Sequence, residues 1–295
     1  MLSILITIYH YNLLPLVKEI HQQCLDLGID FEILTQDDAS NSIHNLENEK
    51  INLLSHCSYV SLEKNVGYRK NKNILVSQSQ YENLLILDGD CVLPFPNFIK
   101  NYVDQIPDYE VVYGGRIHAE KAPSNQQLLR WKYGKFMEDQ TVDQRNKNTY
   151  RATLFNNTLI KKSVFNRIKF DSSFKKYGHD DTLFSFELQK MNAKVKHINN
   201  PVQHDDIDSN SVYVEKTKNS LDNLYLLYKK QLITKEYSKM VNLVSKLHTF
   251  KITYLLAILY SVFGKFIENQ LKGDNPSLFV FNVFRLTYFS KIYIG

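Results

Sequence analysis

Asn83-Leu84-Leu85-Ile86-Leu87-Asp88-Gly89-Asp90-Cys91-Val92 holds a short, unbroken apolar run that ends in two carboxylates separated by a glycine. Such a run predicts a buried strand, Leu84 to Leu87, that delivers Asp88 and Asp90 to the edge of a sheet. Open α/β sheets bind ligands at strand ends of this kind. Residues two apart on a strand point the same way, and Gly89 between them is expected to leave room for a phosphate or metal at the backbone. Two acidic oxygens suit a hard divalent cation, Mn2+ or Mg2+, shared with a diphosphate. Asp and Gly also build ordinary solvated turns, so the flanking sequence has to decide.

Upstream, Leu2 to Tyr9 reads as a first strand. Leu16, Val17, Ile20, Cys24 and Leu27 then recur at the spacing of an amphipathic helix closed by Gly28. Phe31 to Leu34 predicts a second strand, ending in Gln36-Asp37-Asp38-Ala39-Ser40. Strand, helix, strand implies a parallel crossover and a doubly wound α/β sheet. Tyr59 to Leu62 is a third strand, and Asn65-Val66-Gly67 opens a helix that carries Arg69, Lys70 and Lys72 to about Gln80. Carboxylates thus follow strands at Asp37, Asp38, Asp88 and Asp90, with cations nearby in sequence, which outlines a metal–diphosphate site.

Downstream, Pro94 and Pro96 precede a helix from about Asn97 to Gln105, and Glu110 to Tyr113 is strand-like. Residues 116–149 lack a strong period and predict helices and loops. Phe155 to Ile160 and the helix after Lys162 restore a regular core. Tyr177-Gly178-His179-Asp180-Asp181 reads as a loop feeding a helix, where Asp is also a favoured N-cap. Ala193 to Ile198 predicts a strand, followed by His204. After about Ser211 the chain turns helical, and Leu247 to Gly295 is apolar, aromatic and punctuated by Lys and Arg.

Hydrophobic residues at 43% and aromatics at 13% of 295 residues exclude a disordered chain. A net charge of +5 suits a polyanionic small ligand or an anionic membrane surface as readily as nucleic acid. Cys24, Cys57 and Cys91 show neither a disulfide framework nor zinc-ligand spacing, which fits a reducing compartment. Ile252 to Phe263 falls short of the roughly 20 residues that span a bilayer, so no transmembrane helix is expected.

In order along the chain, these motifs resemble family 2 glycosyltransferases from Ser3 to about Asp205. The resemblance implies a GT-A type nucleotide-binding fold: a mixed, mainly parallel sheet flanked by helices, here with a helical C-terminal extension. It implies a catalytic domain over 1–210, and 211–295 as a helical region packing on that core or on a membrane surface. Ile6-Thr7-Ile8-Tyr9 resembles the opening strand and Asp37-Asp38-Ala39-Ser40 the Asp-Asp-Gly-Ser element. Thr7, Tyr9, Asp37, Asn65, Gly67 and Lys72 are then nucleotide-binding, with Lys72 standing where Arg is usual. Asp88-Gly89-Asp90 is similar to the Asp-X-Asp element. It implies Asp90 as the direct ligand of Mn2+ or Mg2+, supported by Asp88 and His204. Gly178-His179-Asp180 resembles Gly-Glu-Asp, implying Asp180 as the general base. Gly89, Asn157, His179 and Asp181 fall to the donor or acceptor sugar.

The resemblance implies an inverting, metal-dependent transfer of a single sugar from a nucleotide-sugar donor, UDP-linked, to a glycan or lipid-linked glycan, as in surface polysaccharide synthesis. No nucleic-acid partner is expected. The implied location is cytoplasmic, with a peripheral membrane contact through Leu247 to Gly295. Gln127-Leu128-Leu129-Arg130-Trp131 fits a signature of processive synthases, but it precedes Asp180 where theirs follows the catalytic aspartate. Two alternatives are a nucleotidyltransferase and a non-catalytic GT-A-fold scaffold. The first would show a glycine-rich loop where Tyr9-His10-Tyr11-Asn12 stands, and transfer or hydrolysis of a donor would exclude the second.

Overall fold

The structure, a computed structural model, describes residues 1–174, 177–204 and 207–295. Strand β1 (Leu2–Ile8) leads to helix α1 (Leu14–Leu27), which presents Leu16, Val17, Ile20 and Cys24 to the core and ends at left-handed Gly28. β2 (Phe31–Asp37) follows, then α2 (Asn45–Asn48), β3 (Cys57–Ser61), α3 (Tyr68–Gln78) and β4 (Asn83–Asp88). β1 pairs in parallel with both β2 and β4, and β2 with β3. The apolar runs of β1 and β4 are buried along nearly their whole length, as strands covered on both faces must be.

The chain continues through β5 (Cys91–Val92), α4 (Phe98–Val103), β6 (Val111–Tyr113), β7 (Arg116–His118), α5 (Leu128–Tyr133), α6 (Val142–Asn146), β8 (Asn157–Lys161) and α7 (Lys162–Ile168). After α8 (Asp180–Lys190) come β9 (Val195–His197) and β10 (Val202–His204). The main sheet has the order β3-β2-β1-β4-β8-β6-β9, with β8 antiparallel to both its neighbours. β5, β10 and β7 form a second, three-stranded sheet. From β1 the chain builds outward to β2 and β3 on one side and returns to place β4 on the other. That reversal opens a crevice beyond the carboxyl ends of β1 and β4, where such sheets hold ligands.

Four helices close the chain: α9 (Asn210–Lys229), α10 (Lys239–Thr249), α11 (Ile252–Lys272) and α12 (Leu278–Ile294). The Cα trace divides into one compact unit of residues 1–117, 140–173 and 187–206, and another of 118–139, 174–186 and 207–295. The first is centred on the β1, β2 and β4 core with α1 and α4. The second has apolar clusters of its own, around Leu221, Leu224 and Phe289 and around Leu129, Val214 and Phe284. In Leu247 to Gly295, the region expected to contact a membrane, Phe279 is exposed, whereas Phe281, Phe284 and Phe289 are buried. Their place is the core of this second unit.

Candidate active site

Strand register decides which side chains meet at the β1/β4 crevice. Thr7 stands opposite Asp88, Ile8 opposite Asp37, and Asp37 opposite Ser61, so the carboxylates line one edge of the sheet. Thr7 is half-buried and Tyr9, just past the strand, is exposed. Lys72, inside α3, reaches Asp88 with Nζ 2.8 Å from Oδ1 and also donates to the Phe155 carbonyl at 2.9 Å. The lysine is buried, and its charge is committed to the carboxylate beside it. Lys72, expected on the nucleotide side, forms an ion pair with Asp88 in the structure.

Asp90 is placed by a different pairing. β5 runs antiparallel to β10 with Cys91 opposite His204, and this brings His204 Nε2 to 3.5 Å from Asp90 Oδ2. The structure thus joins Asp90 with His204 and turns Asp88 toward Lys72. Among the described residues no group of three or more His, Cys, Asp or Glu side chains gathers as a ready metal cage. One carboxylate and one imidazole still fit the protein's share of a Mn2+ or Mg2+ site, because such ions complete their shell with phosphate oxygens and water.

Gly89 serves a different purpose from the open approach expected of it. A Cβ there would lie 2.0 Å from Ile8 Cγ2 and 3.3 Å from the Thr7 carbonyl, so its missing side chain faces the protein. Its N–H donates to that same Thr7 carbonyl. Gly89→Ala is expected to cost about 1–3 kcal/mol, because Ile8 is buried and has little room to yield. Thermal melting of the variant checks this, and an unchanged melting temperature would refute it.

On the other flank, Asp37 is fully buried, and its Oδ2 accepts from the Ser40 N–H at 2.9 Å and the Ser61 hydroxyl at 3.1 Å. Its Oδ1 is buried with no hydrogen-bond donor among the described residues. Asp38, expected as one of the strand-end carboxylates of a metal–diphosphate site, holds the next loop. Its carboxylate accepts from the N–H groups of Val66 at 2.7 Å and Gly67 at 2.8 Å, and its carbonyl accepts from Asn65 Nδ2 at 2.9 Å. Asn65 and Gly67 are therefore fixed at the entrance to α3, where Gly67 takes a φ of 81°. Ala39 beside them adopts a left-handed φ of 55°, a strained conformation of the kind that gathers at functional loops.

Asn157 lies apart from the crevice surface. It has no exposed area; its Nδ2 donates to the Gly115 and Asn200 carbonyls at 2.8 and 2.9 Å, and its Oδ1 accepts from the Tyr102 hydroxyl at 2.7 Å. A side chain so enclosed has no group to offer a sugar. Its network ties β8 to α4 and to the segments after β6 and β9.

The second unit carries the Tyr177-Gly178-His179-Asp180 turn. Gly178 has a φ of 94°, and a Cβ there would lie 2.6 Å from Ser220 Oγ on α9. Its carbonyl accepts a hydrogen bond from Asn223 Nδ2, one turn further along α9. Only glycine combines that backbone with that proximity. His179 follows with a φ of 62°, its Nδ1 3.0 Å from Thr182 Oγ1. Burial, reinforced by the Arg285 cation, pushes His179 down to about 4, so it is neutral at pH 7. Asp180 begins α8, and burial, with the charge of Asp181 beside it, pushes its carboxyl up to about 8. A carboxylate so perturbed accepts a proton readily near neutral pH. Ser220 and Asn223 escaped the sequence reading because nothing in a helical stretch marks a residue that supports a turn some 40 positions earlier.

A family model described as glycosyl transferase family 2 matches residues 3–169, which is more than half of the chain. The curated proteins yield no match in sequence. Among solved structures, S. aureus TarS 1-349 in complex with UDP-GlcNAc superposes with a TM-score of 0.53 at 15% identity, over 99% of this chain and 91% of that one. TarS 1-349 in complex with UDP gives 0.51 at 16% identity, over 77% and 65%. A longer S. aureus TarS chain gives 0.52 at 15% identity, over 88% and 43%. The chain thus spans 65% of one of these structures and less than half of the longer one. At such identities the likeness is one of fold: a mainly parallel α/β sheet with a helical C-terminal region. With the strand-end carboxylates in place and a family model covering the crevice-forming strands, the chain belongs to glycosyl transferase family 2.

Proposed function

We propose that this enzyme transfers a single sugar from a UDP-linked donor to a hydroxyl of a glycan or lipid-linked glycan, inverting the anomeric centre. The observation that carries the reading is the convergence of Asp90 and His204 beside the β1/β4 switch point. In this reading residues 1–210 form the catalytic domain and 211–295 a helical region attached to it. Asp90 and His204 would hold Mn2+ or Mg2+, which when bound supplies positive charge for the departing diphosphate. Lys72 keeps Asp88 neutralised and oriented. The unsatisfied Oδ1 of Asp37 suits a nucleobase N–H, since a buried acceptor without a partner costs about 1–3 kcal/mol that an incoming donor relieves. Thr7, Tyr9 and the loop of Asn65 and Gly67 complete the nucleotide side.

Asp180 accepts the proton of the acceptor hydroxyl as that oxygen attacks the anomeric carbon from the face opposite the diphosphate. One bond forms while the other breaks, and the configuration inverts. His179 enters this step as a neutral imidazole on the acceptor side, and Asp181 raises the basicity of its neighbour. That a neighbouring fold was crystallised with UDP-GlcNAc supports an N-acetylhexosamine as the sugar. The enzyme is taken to work at the cytoplasmic face of a membrane, touched peripherally through 247–295.

A panel of nucleotide sugars, each with Mn2+ and a thermal melt, tests the donor class. A donor present at about 100 times its Kd should add roughly 2.7 kcal/mol of stability. UDP-GlcNAc is expected to stabilise the chain most. Stabilisation by donors linked to another nucleotide, with none from UDP sugars, would overturn the UDP assignment.

A further inference from the structure

Helix α11 is apolar on two sides but buried on one. Thr253, Ala257, Gly264, Ile267 and Leu271 turn inward. On the opposite side Leu255, Val262 and Phe266 are 66, 65 and 75% exposed, with Ile258 open between them. Spacings of three and four residues put these side chains on one stripe. At roughly 1.5 Å per residue that stripe runs about 17 Å from Leu255 to Phe266. Phe250, 76% exposed, extends it at the corner between α10 and α11, where Lys251 adopts a left-handed φ of 61°. Scattered exposed apolar residues are ordinary, but a continuous stripe of this kind marks an interaction surface.

The charge around the stripe selects the partner. From Tyr237 to Ile267 the chain contains Lys239, Lys246, Lys251 and Lys265 and no carboxylate. All four lysines are exposed. The acid of α11, Glu268, is engaged by Lys218, Lys272 and the Tyr260 hydroxyl. A second copy docked through the same stripe would bring one lysine rim against another. An anionic lipid surface accepts both features, the apolar side chains entering the acyl boundary and the lysines meeting headgroup phosphates. Among the described residues no single helix is long and apolar enough to cross a membrane, and α10 and α11 meet that test only as a pair bent by 109°.

We propose that the outward stripe of α11, with Phe250 and its lysine rim, seats this enzyme in the interface of an anionic bilayer. The inference deepens the proposed peripheral contact through 247–295 and rests on it, narrowing the contact to α11 and its corner with α10. The full chain should float with vesicles of phosphatidylcholine mixed with phosphatidylglycerol, far less with phosphatidylcholine alone, and less as salt is raised. A triple variant, Leu255→Glu, Val262→Glu and Phe266→Glu, should lose about tenfold or more of the bound fraction while keeping donor-dependent stabilisation. Should that variant fail to fold, Lys246→Glu with Lys251→Glu and Lys265→Glu is expected to give the same loss. Equal flotation of variant and wild type would overturn the proposal. So would a wild-type dimer that the variant dissociates without any vesicle binding. Donor-dependent stabilisation, read on the same samples, separates failure of this surface from failure of the transferase reading.

Discussion

Asp180→Asn is expected to fold, to retain metal and donor affinity, and to lose about 10² or more in transfer rate. The amide preserves shape but cannot accept the acceptor's proton. Asp181→Asn is the control. Successive residues at a helix start diverge by about 100°, so the two carboxylates cannot serve one role. Asp181→Asn should keep turnover within a small factor and cost about 0.3–1 kcal/mol of stability, as expected of a carboxylate in the first turn of α8. Turnover and melting of both variants decide the matter. An active Asp180→Asn beside a dead but well-folded Asp181→Asn would move the base by one residue.

The same substitution has a signature in pH. Transfer should rise with pH toward about 8 in the wild type, following ionisation of Asp180, and that limb should vanish in Asp180→Asn. Stability runs the other way. A carboxyl that titrates near 3.8 when unfolded and near 8 when folded keeps its proton longer in the native chain, so its contribution falls as pH rises between those values. His179 and His197, both pushed down to about 4 by burial, bind the extra proton when unfolded, so theirs rises from about pH 4 to 6.5. Of these three groups, two histidines oppose one aspartate below pH 6.5, and above it the aspartate is the one that still titrates. The melting temperature should therefore peak near pH 6.5 and decline toward 8, with the decline absent in Asp180→Asn. A wild-type melting temperature still climbing between pH 6.5 and 8 would contradict this assignment.

The strand carrying Asp88 was legible because four consecutive apolar residues leave few alternatives, and the parallel crossover from β1 to β2 followed from the helix between them. Pairing partners were not legible. Lys72 and Asp88 stand 16 positions apart, and only the seating of α3 over the sheet shows that the lysine meets a carboxylate. Asn157 was assigned to the sugar only through a family resemblance, which carries no information on burial, and the Tyr102 hydroxyl and two carbonyls enclose it. In 247–295 composition announced an apolar, basic region but not which face of each helix is inside. Phe284 and Phe266 are the same residue type, and burial alone separates them.

Asp90→Ala should abolish the advantage that Mn2+ gives to UDP binding, a loss of about 10²-fold or more, and His204→Ala should lose somewhat less. The order follows from the site. Asp90 offers the carboxylate oxygen of the pair, and His204 an imidazole nitrogen beside it. Asp88→Ala is predicted to act chiefly on stability, because it leaves the buried ammonium of Lys72 with one partner fewer. Breaking a fully buried pair costs about 3–5 kcal/mol; Asp88 is partly exposed, so a cost of about 1–3 kcal/mol is expected here. Titrating UDP into each variant with and without Mn2+, beside a thermal melt, resolves the two carboxylates. Affinity in the wild type that is independent of metal and equal to that of Asp90→Ala would remove both the ion and Asp90 from nucleotide binding.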